Sequence, residues 1–302
     1  MFIVAVIDAV IQNKHRRVSI KDYISITKVG ITTANLMSTF AGLWVGAHGH
    51  PDFITTVSTI IGTALVVASG AALNNYIDRD IDHRMKRTKE RAVASGRVTA
   101  NEAFTLGISL GTLGIVILAA GSGIAASGCA FIGLIMYAYV YTVWLKRTST
   151  LSTVLGGIAG AMPPLVGFAA GSKGILGLDA LFVFLLFFFW QPPHFFPLAM
   201  KRVQEYRAAG IPMLPVVKGF EATKRQIILY TILMVAASFL LYTQGIEGIL
   251  YLITALVLGG LYIFRALQGL YAKNDIAWAN KVFGFSLLYL TIMSAALVVG
   301  VK

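Results

Sequence analysis

Charge is scarce in this 302-residue sequence: Asp, Glu, Lys and Arg fill 13% of positions, while hydrophobic residues fill 57%. A soluble domain carries about 25% charged residues, so this chain lacks the means to clothe a surface facing water. Acid is scarcer still, with 13 Asp and Glu against 25 Lys and Arg and a formal net charge of +12. In a soluble protein that surplus would suit nucleic acid. In a chain of mean hydropathy +0.77 it reports membrane topology instead, and no nucleic-acid partner is expected. The single cysteine, Cys129, excludes an internal disulfide and, in an apolar run, reads as a small buried hydrophobe. Also missing is the apolar-polar alternation that barrel strands require.

What the sequence does have is unbroken apolar runs of about twenty residues, the length with which a helix crosses about 30 Å of hydrocarbon. The expected fold class is therefore all-α and polytopic, with about nine transmembrane helices in one domain covering 1–302. The spans fall at 26–47, 53–75, 102–121, 124–144, 153–171, 179–199, 226–244, 247–266 and 281–300. Residues 1–25 form a cytoplasmic or interfacial segment: a short interfacial helix over Phe2 to Ile11, then a basic turn from Lys14 to Arg17. With neither signal peptide nor transit peptide evident, a bacterial inner membrane is expected.

The connections are of two kinds. AHGHPD, GSG, GSKGILGLD and QGIEG are short and nearly uncharged, whereas 76–101 and 200–225 are long and basic. Placing the N-terminus in the cytoplasm puts 23 of the 25 Lys and Arg residues on that side and leaves only Lys173 and Lys302 opposite, as the positive-inside rule requires. Loop lengths repeat after the fourth span, so span two corresponds to span six. That symmetry points to a duplicated four-helix unit around a central cavity, an arrangement open to transporters as well as enzymes.

At the inner end of span two the chain reads AALNNYIDRDIDHRMKRTKERAVASGRVT. Asn74, Asp78 and Asp82 recur every fourth residue, so on a helix they share one face. Crowded acids at a membrane edge repel one another unless compensated. Mg²⁺ would compensate them, since it takes hard oxygen ligands from one or two carboxylates plus substrate phosphates. The cations that follow, Arg84, Lys86, Arg87, Lys89 and Arg91, suit the remaining charge of a diphosphate. The plainer account is a solvated basic loop in which Asp80 neutralises Arg79 and the cations serve topology and anionic lipid. Asp80 lies off the ladder face and reads as structural. Two glycine-rich strings, GGIAGAMPP and the Gly107, Gly111, Gly114 series, sit inside spans and read as close helix packing. Pro163 and Pro164 are expected to kink span five, and Pro192 and Pro193 to break span six beside a cavity. His48 and His50 read as loop residues.

This ladder resembles the first motif, N-x-x-x-D-x-x-x-D, of the UbiA superfamily of intramembrane prenyltransferases, and the resemblance covers nearly the whole chain. NNYIDRDIDHRMKRT, YTVWLKRTSTLSTVLGGIAGAMPPLVG and WQPPHFFPLAMKRVQEYRAAGIPMLPVVKG look more specifically like its protohaem IX farnesyltransferases. Most members have a second aspartate-rich motif at the end of span six; here Gln191, His194, Lys201 and Arg202 stand in that neighbourhood and the first acid is Glu205. Small departures are Lys28-Val29-Gly30, where Lys-Pro is common, and Arg91-Ala92, where Arg-Pro is common.

The resemblance implies transfer of a farnesyl group from farnesyl diphosphate to the 2-vinyl group of haem B, with water added. It implies Mg²⁺ on Asn74, Asp78 and Asp82, and leaving-group stabilisation by Arg84, Arg87, Arg91 and Lys146. His194 would contact haem or move a proton, or else tie down a broken helix; Gln191, Lys201 and Arg202 would meet substrate. Tyr141 and Tyr206 read as ordinary interfacial tyrosines. A haem A synthase is a possible partner. The competing expectations are a prenyltransferase of an aromatic quinone precursor and a secondary transporter.

Overall fold

The structure, a computed structural model, describes residues 19–302; the expected interfacial helix at Phe2 to Ile11 and the basic turn at Lys14 to Arg17 lie outside the described residues. A short helix α1 (Ile20–Thr27) opens it, capped by Ser19 and Asp22 in a reciprocal box. Lys28 then takes a left-handed conformation (φ 51°) and α2 (Val29–Gly46) leaves in a new direction. There follow α3 (Phe53–Ile77), α4 (Arg79–Asp82) and α5 (Ala100–Gly121). Helix α6 starts at Ile124–Ile135 and continues as a π-helix over Met136–Leu145 and a last turn Lys146–Thr148. The chain completes itself with α7 (Ser152–Gly171), α8 (Leu178–Lys201), α9 (Val203–Ala208), α10 (Leu214–Val217), α11 (Gly219–Thr243), α12 (Ile249–Leu267) and α13 (Asp275–Val299).

Eight of these elements are long and apolar enough to cross a membrane, and the chain is a multi-pass helical membrane protein. The ninth expected span, α2, has only 18 residues, fewer than any of the eight, and carries Thr32, Thr33, Asn35, Ser38 and Thr39. It compensates by packing hard against α7. A Cβ on Gly167 would stand 1.9 Å from the Thr39 carbonyl oxygen, and one on Gly42 2.0 Å from that of Pro164. Glycine is the sole residue these crossings admit. The Gly107, Gly111 and Gly114 series does the same for α5 against Leu73, Ser69 and Gly62 of α3.

The expected break at Pro192 and Pro193 does not occur. Helix α8 runs unbroken through Pro192, Pro193 and Pro197, and α7 through Pro163 and Pro164. A proline both crowds the carbonyl four residues back and leaves it without a donor, but packed membrane helices re-satisfy such groups and hold the rod together. Helix α8 is clamped by α7, α11 and α13.

Helix α3 packs on α5 as α8 packs on α11, the pairing that equivalence of spans two and six requires, and α13 returns to α2. The two long basic connections are largely ordered. They meet over one end of the bundle, where Ile81 and Met85 pack with Tyr206, Ala209, Ile211 and Met213. That end carries the Asn-Asp-Asp ladder.

Candidate active site

Asn74 lies in the last turn of α3, Asp78 caps its C-terminus and Asp82 ends α4. The fourfold spacing survives the helix junction, because Asp78 N–H donates to the Asn74 carbonyl and Asp82 N–H to that of Asp78, both at 2.9 Å. Both aspartates are completely buried and Asn74 is 4% exposed. An unpaired buried carboxylate costs several kcal/mol, so each must find cations.

They do. Lys146, aimed inward from the end of the π-helical segment, pairs directly with Asp78 Oδ2, which also accepts from Asn74 Nδ2 at 2.7 Å. Arg91 Nη1 donates to both oxygens of Asp82 at 2.8 and 3.0 Å. Lys28, at the left-handed hinge between α1 and α2, donates to Asn74 Oδ1 at 2.8 Å. Arg147 straddles the rim: it donates to both oxygens of Asp80 at 2.6 and 2.8 Å and to the Ile77 carbonyl at 3.0 Å, with Asp78 Oδ1 3.8 Å away. Its guanidinium holds the Asp80 carboxyl below the usual range; Asp80 is half open to water, so that pair adds little stability. Asp80 thus meets Arg147 at the rim and lies outside the buried ladder.

Two buried polar atoms of this cluster are left over, Arg147 Nε and one carboxylate oxygen. Asp78 Oδ1 is buried without a hydrogen-bond partner. Among the described residues no three His, Cys, Asp or Glu side chains converge as a metal site. A hard cation that draws the rest of its ligands from substrate phosphates needs only one or two carboxylates. Asn74 Oδ1, Asp78 Oδ1 and Asp82 supply oxygens of the right chemistry, so the residues fit Mg²⁺. In this cluster Lys28, Arg91, Lys146 and Arg147 outnumber Asp78, Asp80 and Asp82, which leaves net positive charge for an anion.

The remaining candidates separate. Arg87 is exposed but fixed: its N–H donates to Glu205 Oε2 at 3.3 Å, and its charge reaches Tyr141 and Tyr206. Arg202 pairs with Glu205 at 2.9 Å, so the first acid of the second loop ties both basic loops together. Arg84 and Lys201 are exposed at the surface of the loops. Gln191 is 5% exposed, with its amide pressed against Gly160 of α7. His194 lies elsewhere: it stacks between Trp190 at 4.5 Å and Phe283 at 4.8 Å and shares a 2.7 Å hydrogen bond with Ser286 Oγ of α13.

Sequence reasoning missed Lys28, Arg147 and Thr142. In the sequence Arg147 is one cytoplasmic cation among many and Lys28 only the start of a motif departure; Thr142 Oγ1 lies 3.4 Å from Asn74 Nδ2. It also undervalued Tyr141, which stacks on Tyr137 at 5.9 Å and stands within electrostatic reach of Asp78, Arg87 and Tyr206. The tyrosines' spacing of four in YAYVY was the available signal.

Buried acids closed by a surplus of bases, at one end of a membrane helical bundle, define a class of protein that takes a polyanionic ligand at the membrane surface. The UbiA prenyltransferase family model matches residues 35–290, and the chain belongs to that family. Among curated relatives, the protoheme IX farnesyltransferase of Alkalihalophilus pseudofirmus is 47% identical over 92% of this chain and 89% of its own. Protoheme IX farnesyltransferase 2 of Bacillus subtilis is 42% identical over 92% of each. Among solved structures, digeranylgeranylglyceryl phosphate synthase superposes with a TM-score of 0.78 at 22% identity, covering 93% of this chain and 97% of that one. A UbiA homolog from Archaeoglobus fulgidus bound to GPP and Mg²⁺ gives 0.65 at 17%, covering 92% and 99%.

Proposed function

We propose that this protein transfers the farnesyl group of farnesyl diphosphate to the 2-vinyl group of haem B, with addition of water, giving haem O and diphosphate. Prenyl transfer is carried by one observation: two fully buried aspartates held in a surplus of cations at the membrane edge of a UbiA-family bundle. The acceptor is carried by the relatives, named protoheme IX farnesyltransferase at 41–47% identity. The whole chain acts as one intramembrane domain, with 76–101 and 200–225 as its active-site loops. It sits in a bacterial inner membrane with the N-terminus and both loops in the cytoplasm.

Mg²⁺ held by Asn74, Asp78 and Asp82 would polarise the diphosphate as a Lewis acid. As the anion enters, Lys146 and Arg91 shift part of their hydrogen bonding from Asp78 and Asp82 to phosphate oxygens, so charge on the leaving group meets preorganised donors. Lys28 holds the Asn74 amide in place. Arg87, with Arg84 behind it, covers the outer oxygens, and Tyr137 and Tyr141 wall the allylic carbon from water. Lys201, Arg202 and Gln191 line the acceptor side, where cations rather than acids suit porphyrin propionates. His194 serves as the base towards the acceptor. The apolar product suits direct transfer to a haem A synthase partner.

The test is mass analysis of haem recovered after incubating purified protein with haem B, farnesyl diphosphate and Mg²⁺. Hydroxyethylfarnesyl haem is expected; unchanged haem B together with prenylated 4-hydroxybenzoate would move the acceptor to the quinone precursors.

A further inference from the structure

A line of buried polar side chains descends through α11, α12 and α13, and the site above uses only its last member. It begins at the membrane end opposite the ladder, in the loop between α11 and α12. There Glu247 is 0% exposed and neither carboxylate oxygen has a hydrogen-bond partner. The end of the chain covers it: Glu247 pairs antiparallel with Val301, Gly248 N–H donates to the Gly300 carbonyl at 2.6 Å, and Lys302 N–H to that of Ile246 at 3.1 Å. One turn into α12, the buried hydroxyl of Tyr251 donates to the Ser238 carbonyl at 3.1 Å. Tyr289 of α13 directs its hydroxyl towards Ser238, and Tyr262, with its ring 5.5 Å from that of Tyr289, directs its own towards Ser286. Neither hydroxyl completes a hydrogen bond. Ser286 Oγ reaches His194 Nδ1 at 2.7 Å.

Apolar side chains would fill this bundle at no polar cost, whereas each buried polar atom left unpaired is destabilising. Buried groups of this kind are normally satisfied by ordered water. Ionisable and hydroxyl groups that face one another inside a membrane bundle mark proton and water routes. The near end is already set for proton exchange. Ser286 Oγ gives its proton to the Phe283 carbonyl at 2.6 Å, so it accepts from His194 Nδ1–H, and the lone pair of that imidazole lies on Nε2.

We propose that the line Glu247–Tyr251–Tyr289–Tyr262–Ser286–His194 is a route for water and protons between the far membrane end and the acceptor, serving the water-addition step. This rests on the function proposed above. In that step the vinyl terminal carbon bonds to C1 of the farnesyl group as the C1–oxygen bond to diphosphate breaks, and the adjacent vinyl carbon becomes cationic. Water oxygen bonds to that carbon, and one of its O–H bonds breaks with the electron pair staying on the new hydroxyl. The proton goes to His194 Nε2, and His194 Nδ1 releases its own into Ser286 and the tyrosine hydroxyls beyond.

A cation deprived of this route loses a carbon-bound proton instead and gives an olefin lighter than haem O by one water. The experiment reads the olefin-to-alcohol ratio, by mass, for full-length Tyr262→Phe and Glu247→Gln incubated with haem B, farnesyl diphosphate and Mg²⁺. Each is expected to raise that ratio by about tenfold or more. An unchanged ratio overturns the proposal whatever happens to total turnover, because a packing role lowers both products together. Should Glu247→Gln fail to insert, Tyr262→Phe, which deletes one hydroxyl and no ring, decides alone. Absence of any farnesylated haem from the wild-type protein would instead defeat the underlying function, before any variant is made.

Discussion

Two of the regions in which this protein buries polar groups treat them oppositely. At the ladder end, Asp78 and Asp82 each have a cation in contact, and the buried polar atoms without a partner are one oxygen of Asp78 and the Nε atoms of Arg147 and Arg202. Through α11 to α13, Glu247 has no cation, and Tyr262 and Tyr289 have no completed hydrogen bond. Paired charge is stiff and waits for a competing anion. Unpaired hydroxyls and a lone acid leave places for small neutral molecules. The first region therefore suits phosphate chemistry, and the second suits the traffic of water.

The largest effect should come from the ladder. Asp78→Asn keeps shape and removes charge, and turnover should fall about 100-fold or more, measured as farnesylated haem per inserted protein. Retained activity would dissociate the ladder from catalysis. Next is Lys146→Met, which leaves a buried carboxylate uncompensated at a cost of about 3–5 kcal/mol. Thermal unfolding in detergent should show the loss, and Asp78→Asn/Lys146→Met should recover stability without recovering activity. If the double variant is no more stable than the single, the pair is not coupled.

Glu247 sharpens the contrast through pH. Burial pushes its carboxyl up to about 8 from an ordinary 4.5. Between those values the folded chain keeps a proton that the unfolded chain has lost. Stability from this group is therefore present at low pH, declines as pH rises through the window, and is flat above it. Glu247→Gln should remove that slope, so its thermal advantage over wild type is largest above about pH 8; parallel curves for the two proteins would contradict the burial. The smallest effect belongs to Arg84→Ala at the loop surface: stability within about 0.5 kcal/mol of wild type and a modest rise in KM for farnesyl diphosphate, smaller than that of Arg87→Ala, whose backbone is fixed by Glu205.

Much of this was legible in the sequence because the bilayer imposes one rule, that apolar length means helix. Spans, loop classes and the ladder followed from it, and the small-residue strings sit where backbones touch. What was not legible depended on contacts between distant segments. Nothing near Lys28 announces Asn74, 46 positions away, and Arg147 reads as a loop cation until its partners on α3 and α4 are placed beside it. The Pro192–Pro193 pair misled for the related reason that its neighbours, rather than its own chemistry, decide whether a helix breaks. His194, written beside the loop cations, turns towards α13, and its partner Ser286 comes 92 residues later.

The π-helical stretch Met136–Leu145 has a consequence of phase. Such a segment spreads its residues over wider turns than an α-helix does, so the direction in which Lys146 leaves the axis depends on how many residues precede it. Deleting one residue there would alter the direction in which Lys146 leaves the axis, with no functional group lost. The lysine would then leave its contact with Asp78. In this helix chain length itself is a determinant of the active site, and an alignment gap of one would be as damaging as a mutated ligand.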